Sequence, residues 1–358
     1  MIETLNTILP YISGLYTLPW ILVGFIVTLI LSRFFGESKI EKLMKKIGLI
    51  LLYVFVPLLL FRIFLSVDFG EKEVMFSIIC FALLGFMYVL AYLFAKFKAN
   101  KMDLKGETRR HFVKTVLTNQ GRSSAFIGGA MLAISEWRVP AAIYMSIGAI
   151  FLFAIVPYIL SYLHNKNIKD IKKLEKTSKI HALPWYLRLF PWYLLSFAAA
   201  AILFHGTTGV YLEDFGSVGI GFKFFTAITI PAALYYVGAG IHPHDLKINE
   251  MKKLFGLSPV KKTKDHWPWV RNIFFLTTII TPLLTSIIFC LLLVMNFIPT
   301  EWFAVVVINS VLPITSTNMF LVPYGIDKKV TALSVTWTTI ICVPIVVFLI
   351  SVFKSFFF

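Results

Sequence analysis

Ten apolar stretches of roughly bilayer length follow one another along the chain, and this succession constrains the fold more than any other feature. They lie at about 17–34, 47–67, 74–95, 112–134, 139–163, 187–205, 215–241, 272–298, 302–324 and 330–353. A helix needs about 20 apolar residues to cross a membrane. In lipid each backbone group must find its partner within the protein, so such stretches are expected to be helices. Composition agrees: 58% of the 358 residues are hydrophobic and 15% charged, against about 25% charged in soluble domains. That balance excludes an ordinary soluble enzyme, a disordered chain and a disulfide-rich module. The three cysteines, Cys80, Cys290 and Cys342, all sit inside apolar runs without metal-type spacing, as small packing residues do. Met1 to Ser13 carries Glu3 and no basic segment, so no cleavable signal is expected.

The net charge of +16 is a topology signal rather than a nucleic-acid footprint. Cations crowd the loops after spans 1, 3, 5, 7 and 9, from Arg33 to Lys46, Lys96 to Lys114, Lys166 to Arg188, Lys247 to Arg271, and Lys328 with Lys329. The opposite side holds Lys72, Arg138 and Lys354 among Glu3, Asp68, Glu71, Glu73, Glu136, Glu213, Asp214 and Glu301. Both termini are therefore expected outside and the basic loops in the cytoplasm. Seven tryptophans flank spans as an interfacial belt does, while Trp337 lies inside span 10.

The Lys-rich linker 164–186 divides the chain into a first unit, 1–163, and a second, 187–358, each with five spans. Five is odd, so the halves enter the membrane from opposite sides, which is the arithmetic of an inverted repeat. Spans 2 and 7 each carry one proline, Pro57 and Pro231, and one cation, Arg62 and Lys223, read as snorkelling anchors.

Spans 4 and 9 hold equivalent positions in the halves and are the most polar. Span 4 contains Thr118, Asn119, Gln120, Gly121, Arg122, Ser123 and Ser124, followed by Gly128-Gly129; span 9 contains Asn309, Ser310, Pro313, Thr315, Ser316, Thr317 and Asn318. Their midpoints fall near residues 123 and 313. Proline removes an amide donor and glycine weakens a helix, so both spans are expected to break at one depth. Freed backbone groups in lipid need protein, water or ligand partners, and paired broken helices are how many transporters build a central site. A midplane arginine costs about 2.5–3.5 kcal/mol on insertion scales, yet none of the 18 Asp and Glu residues lies in a span core. Arg122 is thus read either as a contact for a substrate anion or as a lock on the helix break. The missing acids also argue against carboxylate-based proton or sodium coupling.

These residues bring a family into view. The stretch 312–350, with Pro313, Tyr324-Gly325, Asp327, Ser334, Thr336, Thr338, Thr339 and Pro344, resembles the last two helices of the auxin efflux carrier family. Residues 123–130 resemble the family's "NTGFIGLP" segment, and the following SEWRVPAAIYMSIG, VPLLLF in span 2 and ALYYVGAGI in span 7 also fit. The resemblance implies an all-α membrane fold related to the bile-acid/sodium symporters: two inverted five-helix repeats whose broken helices 4 and 9 cross inside a mobile bundle, with spans 1, 2, 6 and 7 as scaffold. It implies transport of small organic anions, and homodimers are consistent with it. This chain departs from the pattern in carrying Ser123 for the usual asparagine, Arg122 for a glycine and Ala130 for the proline.

The expected function is a secondary transporter of small organic anions, auxin-like or mono- or dicarboxylate, embedded in the bilayer. The expected substrate contacts are Asn119, Gln120, Arg122, Ser123, Ser124, Pro313, Thr315, Ser316, Thr317 and Asn318, with Tyr235 as a candidate lining residue for a planar anion. No cofactor or nucleic-acid partner is expected. A sodium-coupled bile-acid-type symporter, with Asn119, Gln120, Thr315 and Thr317 as oxygen ligands, is the first alternative, and a sensor that binds the anion without moving it is another. No catalytic dyad lies in the spans, so an enzyme is not expected. His242-Pro243-His244-Asp245 reads as a helix end and turn rather than a metal site.

Overall fold

The computed structural model describes residues 19–65, 70–124, 131, 134–163, 185–239, 248–257 and 266–357. The linker up to residue 184, Gly128-Gly129 and the His242 to Asp245 turn fall outside them. Regular structure among the described residues is helical, apart from one isolated β-bridge. The helices are α1 (Trp20–Phe35), α2 (Glu37–Leu65), α3 (Glu71–Lys101), α4 (Gly106–Thr118), α5 (Arg138–Ile150, running on to 163), α6 (Trp185–Thr208), α7 (Gly216–Ala227), α8 (Thr229–Ala239), α9 (Ile248–Leu254), α10 (Trp267–Val294), α11 (Thr300–Val311) and α12 (Lys328–Phe357).

Four of them, α2, α3, α10 and α12, are long and apolar enough to cross a membrane by length and composition, with 29, 31, 28 and 30 residues. At about 1.5 Å per residue they reach roughly 42–47 Å, beyond the hydrocarbon core of about 30 Å. Their outer faces are apolar, for instance Ile78, Phe81, Val89, Leu93 and Phe97 on α3, and Leu283, Ile287, Leu291 and Val294 on α10. Continuous apolar exposure of this kind is what a membrane-embedded protein presents to lipid.

Two large apolar clusters, with a small third around Phe64, Leu65, Ala201 and Leu212, form the interior of the described residues. One gathers α3, α5 and α11 around Phe76, Trp137, Tyr144, Val306 and Ile308; the other gathers the end of α3, α4, α10 and the start of α12 around Phe112, Val116, Ile273 and Leu333. They meet where α4 and α11 stop: Leu312 packs in the first and Ile314 in the second.

Three helices carry a π turn just before an X-Pro pair: Leu51–Phe55 before Pro57, Phe151–Ile155 before Pro157 and Leu276–Ile280 before Pro282. A proline ring clashes with the carbonyl four residues back and offers no N–H. One inserted residue relieves the clash, so the N–H of Thr281 reaches back to Leu276 O. Pro282 has nothing to donate, and the Thr277 carbonyl loses its helical donor.

Arg62 departs from the snorkelling expectation. Its Nη1 donates to Lys223 O and to Thr226 Oγ1, both at 2.9 Å, and so ties α2 to α7. Lys223 stays about half exposed, 3.8 Å from Glu213.

Candidate functional site: the crossing of two broken helices

The α4 helix ends because its last residues turn tightly. Asn119 N bonds Thr115 O at 3.1 Å, Gln120 N bonds Leu117 O at 3.2 Å and Gly121 N bonds Thr118 O at 3.0 Å. The chain then runs extended through Arg122 and Ser123. The α11 helix ends for a different reason. Pro313 disfavours helical geometry at the residue before it, and Leu312 adopts φ −51°, ψ 146°. The two extended pieces meet as an antiparallel bridge between Arg122 and Ile314. Ser123 N donates to Pro313 O at 2.9 Å and Thr315 N to Gly121 O at 3.0 Å. Each helix end thereby supplies backbone partners to the other, as groups held away from water require. Thr338 on α12 completes the set by accepting Ile314 N at 3.1 Å.

Beyond the bridge, Thr315 caps the 3₁₀ helix Ser316–Tyr324 by accepting from Thr317 N at 3.3 Å, and the two hydroxyls lie 2.9 Å apart. Ser316 opens that helix. Side chains of α4 hold its far end. Lys114, only 5% exposed, donates from Nζ to Tyr324 O at 3.1 Å. Thr115 Oγ1 accepts from Asp327 N at 2.9 Å, and Asn119 Nδ2 donates to Thr331 Oγ1 at 3.2 Å. Asp327 in turn caps α12 by accepting Val330 N at 2.9 Å.

Arg122 lies at the centre and is 6% exposed. Its Nη1 donates to Leu312 O at 3.2 Å, the carbonyl left free at the end of α11. Its Nη2 donates to Gln120 Oε1 at 3.3 Å and to Thr277 O at 2.7 Å, the carbonyl freed by the α10 π turn. Gln120 is itself held, its Nε2 donating to Thr281 Oγ1 at 3.0 Å. Among the described residues, Tyr88, Tyr144 and Cys342 are the titratable side chains that act on the guanidinium, and the dipoles of the three acceptors rather than a carboxylate face its charge.

Several buried polar atoms here make no hydrogen bond: Arg122 Nε, Ser123 Oγ, Thr118 Oγ1, Asn119 Oδ1, Asn309 Oδ1, Tyr144 OH, and both Oδ1 and Nδ2 of Asn318. Asn318 is 0% exposed. It packs against Gly121, where a Cβ would come within 2.9 Å of its Oδ1 and 2.6 Å of Leu152. Ser124 packs against α5 at Gly148. A buried polar group without a partner is rare and costs about 1–3 kcal/mol, so these residues are candidates for contact with a polar ligand.

Of the residues singled out from sequence, Gln120, Arg122, Ser123, Pro313 and Thr315 come together at the bridge, with Asn318 against Gly121. Asn119 faces α12 instead, and Tyr235 sits apart on α8, whose main packing is with α1. Sequence reading missed Thr277, Thr281 and Tyr144. Pro282 was a signal for the first two, since a proline inside an apolar helix frees carbonyls. Tyr144 left no signal among the other aromatic residues.

No protein-family model matches this chain, and no curated protein matches it.

Proposed function

We propose that this chain is a secondary transporter of small organic anions, which it binds at the crossing of α4 and α11. The observation that carries this reading is the combination of a buried cation, with no carboxylate beside it among the described residues, and the unpartnered Ser123 and Asn318 side chains at the same crossing. An anion would bring the missing negative charge and the missing acceptors. Ser123 and Asn318 Nδ2 offer donors, and the Arg122 charge supplies attraction through a low-dielectric interior. Ser123 Oγ has no base at hydrogen-bond distance, and an unactivated hydroxyl is a poor nucleophile, so binding is favoured over catalysis.

In this reading the architecture is ten spans in two inverted repeats, 1–163 and 187–358, joined by the cytoplasmic linker, with both termini outside. The α7–α8 pair forms one span, interrupted near Ile228, and α11 with the 3₁₀ helix forms another. This is the layout of the auxin efflux carrier family that the sequence resembles.

A thermal-shift screen of the purified protein tests the ligand class. Small mono- and dicarboxylates, indole acids and bile acids are each added in sodium and in choline medium. At least one small carboxylate is expected to raise the melting temperature in both media. Stabilisation only by a bile acid with sodium would replace this reading by the sodium-coupled one. No shift with any carboxylate at millimolar concentration would overturn the substrate class.

A further inference from the structure

Three oxygens from separate elements converge on the Arg122 guanidinium. Leu312 O belongs to the first residue past the C-terminal end of α11. Thr277 O projects from the α10 π turn, and Gln120 Oε1 is aimed by the bond from its own amide to Thr281. Carbonyls at half-helix ends and in unwound backbone are the donors by which broken transporter helices coordinate alkali cations. Hard cations select such oxygen ligands. Here the position among them is taken by a side chain.

We propose that Arg122 is a tethered cation: its guanidinium fills an alkali-cation site formed by the two helix breaks and the α10 π turn, so this protein needs no free ion there. Two observations converge on this. Among the described residues, the guanidinium bonds oxygen acceptors of neutral groups, as a bound sodium would, and no acidic side chain. The three oxygens also need a cation or donor, because Thr277 O has lost its helical donor, Leu312 O belongs to a buried extended residue just past α11, and the third is locked in orientation. Under the transporter reading, on which only this consequence rests, the crossing keeps a fixed positive charge through the cycle and substrate movement is uncoupled from sodium.

The experiment uses the purified full chain without any organic anion, so its outcome is independent of the substrate class. Melting temperatures of wild type, Arg122→Ala and Arg122→Lys are read in sodium, potassium and choline chloride at equal ionic strength. Wild type and Arg122→Lys are expected to melt alike in all three salts. Arg122→Ala is expected to melt lower in choline and to recover by several degrees as sodium or potassium is titrated in, with saturation. The proposal is overturned if Arg122→Ala responds equally to choline and alkali cations, or if wild type gains stability from sodium. It is also overturned if Arg122→Ala is unfolded in every salt, because the oxygens would then need the guanidinium itself and not a cation.

Discussion

Asn318→Leu is expected to raise the melting temperature of the ligand-free protein and, in the same molecule, to weaken anion binding at least tenfold. The side chain is fully buried and its amide makes no hydrogen bond through either atom. Replacing it by an apolar group of similar size removes unsatisfied donors and acceptors, each worth about 1–3 kcal/mol. A single charge-assisted bond from this amide to a carboxylate contributes about 1.5–3 kcal/mol, so its loss weakens binding roughly 10- to 150-fold. Opposite signs for stability and affinity are the signature of a residue kept for a ligand. A variant less stable than wild type, with unchanged affinity, would mean that Asn318 is a packing residue.

Gly238→Val is expected to leave little folded protein. The α1 and α8 helices cross with their backbones in contact. A Cβ at Gly238 would lie 1.8 Å from Ile21 O, and one at Gly24 would lie 2.0 Å from Tyr235 O. The obstructing atoms are backbone carbonyls inside helices, which cannot swing aside as a side chain can, so the helices must separate. Small residues at such crossings are what allow membrane helices to associate by van der Waals contact. Gly221→Ala is the control: nothing lies within 4 Å of a Cβ there, and alanine in a helix interior is favoured by about 0.5–1 kcal/mol. Monodispersity on size exclusion, with thermal unfolding, reads both. A well-folded Gly238→Val would contradict the α1–α8 contact.

Much of the helical frame was legible in the sequence because lipid imposes a simple rule of length and apolarity. The break at Pro313 was legible for a local reason, a proline acting on its own neighbour. So was the polar cluster: the expected midpoints near 123 and 313 fall beside the bridged pair Arg122 and Ile314. The partners of Arg122 were not legible. Leu312 and Thr277 lie 190 and 155 residues away in the chain, and both contribute carbonyls, which every residue has. Pro282 marks a freed carbonyl in α10, but no side-chain pattern says which distant group will reach it. The partners of Arg62, Lys223 O and Thr226 Oγ1 on α7, were equally far off in the chain. Tyr235 drew attention as an aromatic residue in an interrupted span, but its helix is packed chiefly on α1 rather than at the crossing.

Counterflow in proteoliposomes tests the central claim most directly. Vesicles holding wild-type protein are preloaded with an unlabelled small carboxylate found to stabilise it, and labelled carboxylate is added outside. A carrier that exposes the crossing alternately to either side is expected to draw label inward transiently above equilibrium, and at a label concentration near the wild-type dissociation constant vesicles with Asn318→Leu are expected to take up several-fold less. Binding without counterflow would make the protein a sensor, and counterflow undiminished in Asn318→Leu would place the substrate away from the crossing.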